Sequence, residues 1–202
     1  MLAVTNGYCT LADVKAALRI TDSVDDTLIE QSINSASRMI DQYCNRFFYS
    51  TGAGVVRYFQ ANDGFMCWID DLQTLTELKT SSTDPLIFDT TWQSGDYQLL
   101  PPNQLANGAY SPYTAITATD NYLFPVWADI ALVKVTGTWG WSSVPEPIKF
   151  ACIIQASRLF KRLESPLGVA GVSDMGIMRV GYSIDGDVAQ LINPFRLLRT
   201  GA

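Results

Sequence analysis

Apolar residues recur at helical spacing in three stretches of the 202-residue chain, two near the start and one past the middle, with strand-like segments between. Leu11, Val14 and Leu18 form one stripe, and Thr10 with Asp13 makes a capping box in front of it, so a short first helix is predicted. Ser23 and Asp26 repeat that signal ahead of Ile29, Ile33, Ala36, Ile40, Cys44 and Phe47. Asp25, Glu30, Asn34 and Asp41 fall mostly on the other side, which predicts a second helix over about Asp25 to Arg46. The connection near Thr21 to Val24 is short, so the two helices should fold back on each other. The third stretch follows Pro145 and Pro147, residues without an N–H that fit a helix's first turn. Ile148, Cys152, Ala156, Leu159 and Leu163 then keep helical spacing while Phe150, Ile153 and Phe160 cover a second side, predicting a helix buried over most of its circumference. Arg158, Lys161 and Arg162 suit its C-terminal end, and Ser165-Pro166 stops it.

Between the second and third helices the pattern changes. Gly52 and Gly54 break the helix, and strand segments are predicted at Val55–Ala61, Phe65–Ile69, Leu75–Thr80, Leu86–Phe88, Asp96–Leu100, Tyr113–Thr117 and Ala131–Thr138. Asn62-Asp63-Gly64 between the first two reads as a tight hairpin turn. Beyond Gly171 a Gly-rich loop is expected up to Gly176, then a strand over Ile177–Tyr182 and a short helix over Val188–Ile192 stopped by Pro194. The fold class is therefore α+β. A small helical bundle, the N-terminal hairpin plus the Pro147 helix, carries an inserted antiparallel β subdomain and a C-terminal helix. The expected divisions are 1–50, 51–140, 141–165 and 166–202.

Composition narrows the chemistry. Hydrophobic residues make up 48% and charged ones 17%, too apolar for a disordered chain, and no window reaches the ~18 uninterrupted apolar residues of a membrane span. The first ten residues lack the basic start and apolar run of a secretory signal, so synthesis in the cytoplasm is expected. Cys9, Cys44, Cys67 and Cys152 are too widely spaced for a C-x-x-C pair. With no histidine in the chain, zinc patterns and His-based catalysis are excluded, and four free thiols are expected. No cofactor or metal is expected either.

The net charge of −6 is uneven. Residues 1–132 hold 6 Lys+Arg against 15 Asp+Glu, and residues 133–202 hold 8 against 5. An acidic bulk argues against binding along a phosphate backbone. The asymmetry suits head-to-tail contact between copies and equally suits two solvated surfaces. Asp70, Asp71, Asp120 and Asp129 are the carboxylates from which a glycosidase pair would have to come, but neighbours such as Asp70 and Asp71 point to opposite faces of a strand. Tyr58, Phe59, Trp68, Trp92, Tyr97, Tyr110, Tyr113, Tyr122 and Trp127 would serve a carbohydrate- or ligand-binding β module, and would equally serve a small β core.

Taken in order, L-A-D-V-K-A-A-L-R-I, D-S-V-D-D-T-L-I-E, T-G-T-W-G-W, V-P-E-P-I-K-F-A and R-L-F-K-R-L-E-S-P-L-G-V-A-G resemble the head-tail connector, or head-completion adaptor, proteins of tailed bacteriophages and related gene-transfer particles. The long β segment, roughly Val55 to Phe124, departs from the smallest members of that family. The resemblance implies a non-enzymatic virion protein, made in the host cytoplasm, that forms a ring of twelve copies between portal and tail. Its partners would be the portal protein, a stopper or tail-completion protein, and double-stranded DNA that passes through a channel without sequence-specific binding; no membrane is involved. It further implies portal docking by the C-terminal helix and tail, here Val188, Leu191, Ile192, Phe195, Arg196, Leu197, Leu198 and Arg199. A tail packed on its own domain is the other reading of those residues. Arg158, Lys161, Arg162, Leu167, Val169 and Val172 are the candidates for the subunit interface, and Ser165 to Gly176 is either a loop ordered by a neighbouring subunit or a plain surface loop.

Overall fold

Thr10 opens the first helix by the reciprocal bonds its spacing to Asp13 implies. In the computed structural model, which describes residues 4–81, 87–106, 109–119, 122–127, 130–164, 169–173, 176–179 and 184–198, the Asp13 N–H donates to Thr10 Oγ1 at 3.1 Å and the Thr10 N–H donates to Asp13 Oδ2 at 2.9 Å. Helix α1 (Leu11–Leu18) ends with Arg19 in the left-handed region, and α2 (Asp26–Cys44) follows. The second expected capping box does not form. Asp26 is held instead by Lys15, Nζ to Oδ1 at 2.6 Å, an ion pair that joins α1 to the first turn of α2.

Helix α2 buries Ile29, Ile33, Ala36, Ile40 and Cys44 on one face. Asn45 then turns left-handed at φ 53°, ending the helix two residues before the predicted stop. The chain leaves at a new angle, and Phe48 rather than Phe47 enters the core. Helix α3 (Glu146–Glu164) packs against α2, and α4 (Gly186–Ile192) against α3. Contrary to the two-sided pattern expected of α3, burial is confined to one face: Ile148, Ala151, Cys152, Gln155, Ala156 and Phe160. Phe150 and Leu163 are 56% and 59% exposed. The small residues Ala151 and Ala156 carry the packed side and the bulky ones are left outside, the opposite of what hydrophobicity alone suggests.

These helices belong to one contact-dense unit, residues 1–48 and 144–202, while residues 49–143 form a second. The second unit is built on a sheet whose strands are β1 (Val55–Phe59), β2 (Met66–Thr80), β3 (Thr90–Thr91), β4 (Tyr97–Leu100), β7 (Tyr113–Ala118) and β8 (Val133–Trp139). The order is β1-β8-β2-β7-β4, all antiparallel, with β3 added to β2. A small separate ladder joins β5 (Leu105–Ala106) to β6 (Ala109–Tyr110). The two predicted strands Phe65–Ile69 and Leu75–Thr80 are one long strand. Its first half pairs with β7 and its second with β8, with register shifts at Trp68–Leu72 on the β7 side and at Leu72–Thr74 and Leu75–Glu77 on the β8 side.

The expected Asn62-Asp63-Gly64 hairpin is not a ladder. Strand β1 pairs along its whole length with β8, from Val55↔Gly137 to Phe59↔Val133. Gly64 is not among the positive-φ residues, so the turn lacks the backbone a two-residue Asp-Gly hairpin needs. Asp63 Oδ1 instead accepts from the N–H groups of Phe65 and Met66 at 2.7 and 2.8 Å, folding the chain over as a side-chain-capped loop. Of the predicted Leu86–Phe88 strand, Ile87 and Phe88 are outside any strand and Leu86 lies outside the described residues. Gly137 is required by proximity: a Cβ there would come within 2.3 Å of the Thr74 carbonyl oxygen.

In the helical unit the Gly-rich stretch expected as a loop contains β9 (Val169–Ser173), paired with β10 (Gly176–Arg179) as Ser173↔Gly176 and Ile177↔Val172. The predicted strand over Ile177–Tyr182 is thus the second arm of a hairpin, and its last three residues fall outside the described ones.

Candidate functional site

The C-terminal segment is tied to its own unit by several independent contacts. Asp185 caps α4 by accepting from the Asp187 N–H at 3.3 Å and is paired with Arg158, Nη1 to Oδ2 at 2.5 Å. Val188 and Ile192 have no exposed surface. Past the helix, the Leu197 N–H donates to the Cys44 carbonyl at 2.8 Å, which satisfies one of the open carbonyls at the end of α2. Phe195 meets Phe48 edge to face at 5.9 Å, and Arg196 lies over the Tyr43 ring at 5.5 Å. The candidate docking residues therefore separate. Val188 and Ile192 fill the core of the unit, where α4 covers α3 and the end of α2. Leu191, Phe195 and Leu197 are half-buried, Arg196 is exposed, and Leu198 is 71% exposed. Arg199 lies outside the described residues.

The subunit-interface candidates separate in the same way. Arg158 is engaged with Asp185 inside the unit. Lys161, on the surface, sits with Nζ 5.9 Å from the Phe160 ring, and Arg162 is half-buried beside it in the last turn of α3. Val169 and Val172 are in β9, where the backbone alone is described, and Leu167 lies outside the described residues.

In the sheet unit the aromatic residues divide between core and surface. Trp92 stacks on Phe124 at 4.5 Å, touches Tyr122 at 5.2 Å, and donates from Nε1 to Thr80 Oγ1 at 2.9 Å. Trp139 meets Phe59 and donates to the Val55 carbonyl at 2.8 Å, with Arg57 over its ring. Trp141 donates to Asp71 Oδ2 at 3.0 Å. Asp71 is buried, whereas Asp70 on the opposite face pairs with Arg57 at 2.8 Å, so the adjacent carboxylates never share a site. Asp120 and Asp129 lie outside the described residues, and among the described residues no cluster of His, Cys, Asp or Glu could hold a metal. Phe65, Trp68 and Leu123 are exposed, with Leu123 close over Gly64. The alternation of Cys67 and Ile69 inward with Trp68 outward is the sequence signal for that patch.

Charge follows the units rather than a cut at Leu132. Residues 49–143 hold 3 Lys+Arg against 9 Asp+Glu, a balance of −6, and the helical unit holds 11 against 11. The whole acidic excess belongs to the sheet unit.

In the helical unit, Tyr8 joins the segment before α1 to α2. Its hydroxyl donates to Asp41 and accepts from the Phe48 N–H at 2.8 Å, while Arg38 pairs with Asp41 at 2.9 Å. Burial pushes both the Tyr8 hydroxyl and the Asp41 carboxyl up from their ordinary values. Tyr8 and Asp41 are 33 residues apart, and no local spacing announces the pair.

The segment holding this network, with α1, α2 and β1, is also where the chain is similar to a known family. Residues 8–62 match the phage gp6-like head-tail connector family. The connector pattern thus covers the helix hairpin and the first strand of the sheet. The fold extends the likeness over the whole length. A chain from the neck of an empty GTA particle, computed with C6 symmetry, superposes with TM-score 0.59 at 18% identity over 99% of this chain and 95% of its own. The neck of the native GTA particle, computed with C12 symmetry, gives 0.58 at 18% over 99% and 94%, and the virion of the native gene transfer agent particle 0.56 at 19% over 99% and 95%. Among curated proteins no sequence matches this chain significantly.

Proposed function

We propose that this protein is a structural, non-catalytic head-tail connector of a phage-like particle, assembling as a twelve-copy ring between the portal and the tail and surrounding the path of double-stranded DNA. The observation that carries this reading is the coincidence of the connector-family match over residues 8–62 with a fold likeness spanning 99% of the chain. The acidic sheet unit supports it physically, because an acidic surface holds no phosphate backbone and lets a polyanion slide. The portal is met by the end of the tail, where Arg196 and Leu198 are exposed, while α4 holds that end in place. A stopper or tail-completion protein is the partner on the other side of the ring.

Light scattering of the chain alone and mixed with a portal ring tests the proposal. A defined complex with the portal is expected, and Leu198→Ala should weaken it at least tenfold while leaving the melting curve unchanged, since Leu198 touches solvent rather than core. A chain indifferent to the portal at micromolar concentration sinks the connector reading.

A further inference from the structure

Of the four cysteines, two form a pair that neither the core nor the proposed docking explains. Cys9, ahead of α1, and Cys152, on the packed face of α3, are 143 residues apart in the chain, and their sulfurs lie 3.4 Å apart with the Cys9 thiol donating to Cys152. Ser37 Oγ is also 3.4 Å from the Cys152 sulfur. Cys44 and Cys67 contact backbone carbonyls instead, and burial pushes both thiols up to about 12, which leaves them inert. Cys152 is fully buried, while Cys9 is 4% exposed. A cleft of about 500 Å³ opens beside the first turn of α1, and its lining includes Cys9, Thr10, Asp13 and Lys149. Asp13 and Lys149 pair across it at 3.2 Å.

We infer that Cys9 and Cys152 are a redox staple: a thiol pair, open to a small peroxide through the cleft at Cys9, that closes to a disulfide tying the segment before α1 to α3. The Cys9 hydrogen bond holds the Cys152 thiol below its ordinary range and holds the Cys9 thiol above it, so the pair gives up its first proton at Cys152, and the reacting form is the one in which the remaining proton is shared between the two sulfurs. That proton moves from Cys9 to Cys152 as the Cys9 sulfur attacks the peroxide. The O–O bond breaks, Cys9 becomes a sulfenic acid, and the hydroxide released takes the proton from Cys152 to form water. The Cys152 thiolate then attacks the Cys9 sulfur, the S–O bond breaks, and the second oxygen leaves as hydroxide, which takes up a proton from solvent. Two sulfurs are oxidised and one peroxide is reduced to two waters. A cross-link over so long a loop restricts the unfolded chain, so closure stabilises the helical unit. The biological use rests on the proposed function, a protein made among reduced thiols and carried outside in a particle. Bond formation does not, and the isolated chain tests it whether or not the portal is bound.

The experiment treats the full-length native protein with hydrogen peroxide, alkylates the remaining thiols in denaturant, and maps disulfide-linked peptides. The expected result is two alkylated thiols, Cys44 and Cys67, a linked peptide joining Cys9 to Cys152, and a melting temperature of the helix signal several degrees higher that dithiothreitol restores. Cys9→Ser should show neither the link nor the shift. If that variant does not fold, the wild-type peptide map and its reversal carry the test alone. Four alkylated thiols, a link between other cysteines or between chains, or a link without a rise in melting each overturn the proposal.

Discussion

The helical unit and the sheet unit solve the same problem, covering apolar surface, with different means, and the difference shows in their exteriors. The helical unit is charge-balanced and uses its own C-terminal segment as a late layer of core, with Val188 and Ile192 sealed under α4. The sheet unit is strongly acidic, carries all five tryptophans, and hangs on one strand, β2, that serves as central partner to β7, β8 and β3 in turn. A unit whose stability rests on a tail can expose only the last residues of that tail to a partner. A unit whose stability rests on a central strand can vary both faces, so surface aromatics and excess acid accumulate there without touching the fold. Because every tryptophan lies in residues 49–143, tryptophan fluorescence follows the sheet unit, and the far-ultraviolet helix signal follows mainly the other.

The sharpest way to break the comparison is Gly137→Ala. A methyl group at that point meets a backbone oxygen at 2.3 Å and Leu72 Cδ1 at 2.8 Å, and neither the oxygen nor the paired strand can swing aside. The expected cost is about 3 kcal/mol, the upper part of the range for overpacking a filled site. Tryptophan fluorescence should report it as a strongly lowered transition, with the helix signal little changed. Equal loss in both signals would show that the two units melt as one.

Ile192→Ala is the counterpart in the helical unit, with an expected cost of about 2–4 kcal/mol for removing a fully buried branched side chain. Here the helix signal should fall first and the tryptophan signal should hold. A variant with unchanged stability would mean that α4 is not part of the core in solution, and would return Ile192 to the candidate docking surface.

The units also differ in how far they can be read without coordinates. The Thr10–Asp13 box marks the start of α1 and helix periodicity locates α2 to within two residues, because the box closes within one turn and the buried stripe of α2 is regular. The stripe on α3 is misread at Phe150 and Leu163, since one face of that helix is chosen by the close approach of α2 at Ala151 and Ala156, a tertiary fact. In the sheet, strand existence is legible from alternation and breakers, but pairing is not. Nothing local to Val55–Phe59 says that its partner is Val133–Trp139 rather than the strand across the nearest turn. Long-range pairing is also why the tail's division into buried Val188 and Ile192 and exposed Leu198 is invisible in a run of similar apolar residues.

The smallest expected effect concerns acid, and within the helical unit it sets two carboxylates against each other. Hydrogen bonds from the Thr10 backbone and hydroxyl, with Lys149 adding to them, hold Asp13 below the ordinary carboxylate range. Its contribution to stability is therefore complete above the unfolded value, near 3.9, and is lost as pH falls through the lower folded one. Burial holds Asp41 above that range, so the folded state keeps a proton there that the unfolded chain has released, and stability declines as pH rises from the unfolded value through the raised folded one. Thr10→Ala should lower stability by about 1 kcal/mol at neutral pH, the ordinary value of a lost N-cap, and by less in acid strong enough to have passed the lowered folded value, where Asp13 is protonated in both states. Asp41→Asn should flatten the opposite slope, which lies above the unfolded carboxylate value. Helix-signal melts from neutral to acid pH separate the two, and parallel curves for Thr10→Ala and the parent at every pH would show that the cap bond does not depend on the Asp13 charge.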